Sequence, residues 1–135
     1  MGKKMRLALY TLLSVMLVLP CYSYAEEDEP PAKPSYFSLK PSIVVNLRSG
    51  GKFARVDIQI MTLDEEQLES IKLHAPAIRH ALILLLSDQD GKKLKTPDGK
   101  ETFRKAALTA TQGVIEELTG VDSINELYFT SFFVQ

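Results

Sequence analysis

The sequence predicts an α+β domain of element order β-β-α-α-α-β, preceded by an N-terminal hydrophobic segment. Three observations carry this. Val56, Ile58 and Ile60 alternate with Arg55, Asp57 and Gln59, the period of a strand with one buried face. Phe103, Ala107, Ala110, Val114 and Leu118 recur at spacings of three and four, the period of a helix. Phe129, Phe132, Phe133 and Val134 crowd into the closing stretch ELYFTSFFVQ. Chain ends are usually frayed and polar, so a run this apolar belongs in the core, as a strand that joins the sheet begun by the first two.

Taken in order, YFSLKPSIVVNL, from Tyr36, reads as a strand broken or bulged at Pro41, since proline cannot donate to a ladder and favours a sheet edge. Arg48-Ser49-Gly50-Gly51 is turn chemistry, and the alternating stretch KFARVDIQIM completes a hairpin. Asp64 then caps a helix, with Gln67 three residues on to close a capping box and Leu68 and Ile71 on its apolar side. Pro76 suits the first turn of a second helix that carries Ile78, Leu82, Leu85 and Leu86. Because ALILLL is apolar on nearly all sides, this is the helix expected to be buried. Asp88 to Lys95 reads as a charged loop around Gly91. Thr96, Pro97 and Asp98 open a long helix that Gly120 closes. Along the last strand, plain alternation puts Leu127, Phe129, Ser131 and Phe133 on one face and Tyr128, Thr130, Phe132 and Val134 on the other. Helices are expected over one face, and the linker or a neighbouring subunit over the other.

The front of the chain reads as a targeting segment, residues 1–25. Lys3, Lys4 and Arg6 precede the uncharged run Leu7 to Leu19, which ends at Pro20, and Ser23-Tyr24-Ala25 offers small residues for cleavage. Positive charge ahead of the run and the acidic cluster Glu26 to Glu29 behind it direct the remainder out of the cytoplasm. These thirteen uncharged residues span roughly 20 Å as a helix, short of a hydrocarbon core of about 30 Å. Two outcomes stay open: retention as a membrane anchor, or cleavage following Ala25. Lipidation at Cys21 fits poorly, because Leu19 and Pro20 stand where small residues are wanted, and a lone cysteine makes no internal disulfide. Residues 26–35, EEDEPPAKPS, form an acidic, proline-rich linker, and residues 36–135 form the folded domain.

Composition narrows the function. Hydrophobic residues at 45% and charged residues at 24% describe a globular chain. Of its 16 Lys and Arg, three precede Glu26, whereas all 17 acidic residues lie from Glu26 onward, so the body is mildly acidic and lacks the basic stripe of a nucleic-acid binder. His74 and His80 are six apart across Pro76, a spacing no helical metal pair uses. In DQDG, Asp88 to Gly91, the glycine comes too early for a calcium loop, so a solvated turn is expected. Ser131 has no nucleophile elbow around it and reads as a buried strand serine. Gly50-Gly51 is a turn and not a phosphate loop, and Glu65-Glu66 and Glu116-Glu117 lie on helix surfaces. No catalytic residue, metal site or cofactor site emerges, and no partner-binding residue is marked. The pattern is that of a structural or interaction protein and not of an enzyme.

Five stretches resemble the flagellar basal-body-associated FliL family: VVNL (Val44 to Leu47), RVDIQI (Arg55 to Ile60), IRHALILLLS (Ile78 to Ser87), LKTPDGKETFRKAAL (Leu94 to Leu108) and YFTSFFVQ (Tyr128 to Gln135). The resemblance implies a single-pass inner-membrane protein with its domain in the periplasm, a fold of the stomatin and prohibitin (SPFH, band 7) type, and ring-forming self-association. It further implies association with the flagellar basal body and stator subunits, and effects on torque, rotation, swarming and chemotactic motility, with no enzymatic activity. The other reading is a periplasmic assembly factor or adaptor unrelated to the motor.

Overall fold

The computed structural model describes residues 30–135. The expectations for residues 1–25 and for Glu26 to Glu29 of the linker lie outside the described residues. Strands β1 (Ser35–Asn46), β2 (Phe53–Thr62) and β3 (Glu126–Val134) form a three-stranded antiparallel sheet ordered β1-β2-β3. Between β2 and β3 come a 3-10 turn (Glu65–Gln67) and the helices α1 (Leu68–Leu73), α2 (Ala75–Ser87), α3 (Gly91–Leu94) and α4 (Pro97–Thr119). The α+β class and the joining of the last strand to the first hairpin stand as expected.

The central strand sets the core. Ala54, Val56, Ile58 and Ile60 of β2 are buried on one face, and Leu39, Ile43 and Val45 of β1 and Leu127 of β3 flank them. The helices close over this side with Ile71, Ile78, Leu82, Leu86, Leu94, Phe103, Ala107 and Ile115. Each such aliphatic or aromatic side chain contributes about 1.5–3 kcal/mol on leaving water. The long helix begins and ends as its sequence dictates. Thr96 Oγ1 accepts from the Gly99 N–H at 3.0 Å, and Gly120 adopts the left-handed conformation at φ 77° beyond the last turn.

Five expectations need correction. The loop around Gly91 contains the short helix α3, capped by Asp90, whose carboxylate accepts from the Lys92 N–H at 2.8 Å; Gly91 and Leu94 are buried. Asp64 caps as expected, but onto the Glu66 N–H of a 3-10 turn, so no capping box with Gln67 is made among the described residues. α2 is not buried all round: Ile83 and Leu84 are exposed, because only the side carrying Ile78, Leu82 and Leu86 meets the core. In α4 the buried stripe is Phe103, Ala107, Thr111 and Ile115, and Leu118 is exposed. The spacing of four from Phe103 to Ile115 keeps Thr111 inward, where its hydroxyl donates to the Ala107 carbonyl at 2.7 Å.

The fifth correction concerns β3. Its register against β2 slips at Asp57/Ile58, which face Ser131 and Phe129, leaving Thr130 as an extra residue. A bulge of this kind reverses the alternation beyond it. Phe129 and Phe132 therefore both pack against the core, with Val134 beside them, while Phe133 and Ser131 are exposed. The expected two faces hold only up to the bulge.

Candidate interaction surface

The helices cover one side of the sheet and leave the other open. Strand register sets the rows of that open face. Val44, Arg55 and Phe133 stand side by side, as do Ser38, Gln59 and Tyr128, and Tyr36 lies opposite Met61. Val44 (59% exposed), Phe133 (52%) and Tyr36 (51%) are large apolar side chains set in water. At one end Phe53, half-buried, and the exposed Phe133 lie with ring centroids 5.8 Å apart.

The middle of the face is polar. The irregularity of β1 between Leu39 and Ile43, where the Lys40–Pro41 peptide is cis, opens a hollow lined by Ser38, Lys40, Pro41, Ser42, Arg55 and Asp57. Within it the Ser42 hydroxyl donates to the Asp57 carboxylate, and Arg55 Nη2 donates to Ser42 Oγ at 3.1 Å. Arg79 of α2 donates to the Pro41 carbonyl. These groups satisfy one another, which is the arrangement of a polar patch between two apolar ends.

A second polar centre fastens α4 to β3. Arg104 meets Glu101 through Nε and Nη2, both at 2.8 Å, and also donates to Glu126 and, at 3.1 Å, to the Leu127 carbonyl. This donation holds the Glu101 carboxyl below its ordinary range, and the two carboxylates raise the Arg104 guanidinium further above its own.

The residues weighed for chemistry are scattered. His74 joins α1 to α2, and His80 is exposed along α2. Asp88 pairs with Arg48 at 2.8 Å on the surface, and Asp90 is spent as a helix cap. Ser131, expected buried, is exposed opposite Asp57, because the bulge turns it out. Glu65, Glu66, Glu116 and Glu117 are exposed as expected. Among the described residues no group of three or more His, Cys, Asp or Glu could hold a metal, and no helix is long and apolar enough to cross a membrane. Sequence reasoning marked no contact residues. Period-two reading across β1 and β2 would have found Val44 and Tyr36, but Phe133 was hidden by the bulge.

An antiparallel sheet with helices on one side and an uncovered, part-apolar second side defines an α+β domain suited to contact with other macromolecules. The family model described as "Flagellar basal body-associated protein FliL" matches residues 36–135, and the chain belongs to this family. It is also similar to the "Flagellar protein FliL" of Aquifex aeolicus (strain VF5), with 26% identity over 113 residues, covering 82% of this chain and 68% of the relative.

Proposed function

We propose that this chain associates with the stator units of the flagellar motor from the periplasmic side and modulates rotation, torque, swarming and chemotactic motility without catalysing a reaction. The observation that carries the reading is the family match over the whole of residues 36–135. The open sheet face, apolar at both ends, supplies a surface for such contacts.

In this reading residues 1–25 hold the chain in the inner membrane, with a soluble periplasmic product beginning at Glu26 as the alternative. The linker Glu26 to Ser35 would reach about 30 Å if polyproline-like, enough to hold residues 36–135 clear of the bilayer. The domain self-associates into a ring in the manner of the stomatin and prohibitin type. Head-to-tail contacts close when the rotation per subunit permits, and tethering to a membrane raises the effective concentration of weak contacts.

The test is deletion of the gene, scored by tethered-cell rotation and by swarming. Altered rotation or swarming in cells that still assemble flagella is the expected result. Normal torque and swarming, with a changed envelope, would overturn the reading and favour the adaptor.

A further inference from the structure

The two edges of the sheet are treated differently. On β1, Pro41 interrupts the ladder, Arg79 takes its carbonyl, and the Arg48 N–H donates to Ser87 at 3.0 Å just beyond the strand. On β3 only the first half is closed. There Arg104 takes the Leu127 carbonyl, and the Glu126 carboxylate accepts from the Leu127 N–H at 3.1 Å.

The second half of β3 is open. Gln135 and Phe53 exchange both backbone bonds, Gln135 N–H to Phe53 O at 3.0 Å and Phe53 N–H to Gln135 O at 3.1 Å. In an antiparallel ladder such pairs alternate with pairs whose polar groups turn away. Arg55–Phe133 is therefore the next bonded pair, and the N–H and C=O groups of Val134 and Phe132 point outward from the sheet. A hollow of about 210 Å³ lies against them, lined by Leu94, Lys95, Lys100, Phe132, Phe133 and Val134. It takes lining from both faces of one strand, which places it at the strand's edge.

The charge there has one sign. Lys95 is exposed, and Lys100 Nζ sits 5.4 Å from the Phe132 ring centroid. Neither lysine has a carboxylate within 4.0 Å among the described residues. Unpaired backbone groups, a hollow walled in part by Leu94, Phe132, Phe133 and Val134, and two lysines together select an extended peptide that is acidic and carries an apolar side chain.

We propose that the outer edge of β3 from Phe132 to Val134 binds an extended acidic segment of a partner protein as a fourth strand. Copies of this chain are poor occupants. β1, SYFSLKPSIVVN, holds no carboxylate and one lysine, and β3 against itself would set lysine beside lysine. The linker cluster Glu26 to Glu29 lacks an apolar residue and runs into Pro30-Pro31, which cannot donate to a ladder. The edge site stands independently of the flagellar assignment.

The probe is a synthetic peptide of alternating glutamate and valine, titrated into the full chain in nonionic detergent while the backbone amides are followed by NMR. The controls are the lysine–valine peptide and a glutamate–valine peptide N-methylated on alternate residues. The acidic peptide is expected to shift the Phe132 and Val134 amides and slow their exchange, and the N-methylated one to fail. The double variant Lys95→Glu/Lys100→Glu, whose side chains lie outside the core, is expected to weaken the acidic peptide about tenfold and to admit the basic one. Its unchanged melting temperature would show that the fold survives. No amide shift, equal affinity after charge reversal, or binding by the N-methylated peptide would overturn the proposal. So would amide shifts that depend on protein concentration alone, which would give the edge to a second copy.

Discussion

The rings of Phe103 and Phe129 stack face to face, with centroids 5.4 Å apart and planes within 7° of parallel. Phe132 meets both edge-on, at 6.2 Å from Phe103 and 5.0 Å from Phe129. Three rings thus clamp the last strand to the long helix. Removing a buried aromatic costs roughly 3–5 kcal/mol against a typical total of about 5–15. Phe103→Ala should therefore lower the urea midpoint by about a fifth at the least, and deletion of residues 129–135 should unfold the domain. Melting of the truncated chain at the full-length temperature would refute the clamp.

Arg104 provides a second, polar fastening that responds to acid. Because it holds the Glu101 carboxyl below its ordinary range in the folded chain, the contact stabilises at pH above the unfolded value of about 4.3. That contribution is lost as pH falls through the lower folded value. Glu101→Gln should lower the neutral plateau slightly, leave the stability in strong acid nearly unchanged, and so flatten the acid limb below about pH 4.3. Arg104→Ala should cost about 1–2 kcal/mol at pH 7, since it also strips Glu126 and the Leu127 carbonyl. Chemical denaturation across pH 3 to 8 reads both effects.

Two glycines lock the hairpin turn onto α3. The Gly91 N–H donates to Ser49 O at 2.9 Å, and a Cβ on Gly91 would stand 2.7 Å from the Gly50 carbonyl oxygen. Gly50 itself sits at φ 71°. Gly91→Ala should destabilise by about 1–3 kcal/mol through this overlap. A Cβ on Gly113, in the middle of α4, would meet no neighbouring element within 4 Å, so Gly113→Ala should stabilise by about 0.5–1 kcal/mol. Paired thermal melts that moved in the same direction would contradict this geometry.

The two sides of α2 should separate by stability. Leu82 is buried and Leu84 is 57% exposed. Leu82→Ala is expected to cost about 2–5 kcal/mol, whereas Leu84→Ser should stay within about 0.5. A large loss for Leu84→Ser in the isolated chain would show that its side chain is covered.

Much of this architecture was legible because local signals and packing agree. The alternation of β2, the Thr96-Pro97 start and the Gly120 stop of α4 each specify a structure by themselves. What was missed depends on tertiary partners. The bulge at Thr130 exists only in the pairing with Asp57 and Ile58, so strict alternation misassigned Ser131, Phe132, Phe133 and Val134. ALILLL is apolar enough to suggest burial all round, yet the sheet has room for one side of α2 alone. The helix at Gly91 rests on the Ser49 carbonyl, a contact between residues far apart in sequence. The open face followed the same division: Val44 and Tyr36 lie on a plain period-two pattern, and Phe133 does not.

The most direct measurement of the motor assignment is photocrosslinking in living, motile cells, with a benzoylphenylalanine replacing Val44 or Phe133 on the open sheet face. Captured partners would be identified by mass spectrometry while the motors work under load. The account predicts crosslinks to flagellar stator subunits or to a neighbouring copy of this chain, stronger under high load than under low load. Capture only of envelope proteins unrelated to the flagellum, unchanged by load or by loss of the stator genes, would contradict it.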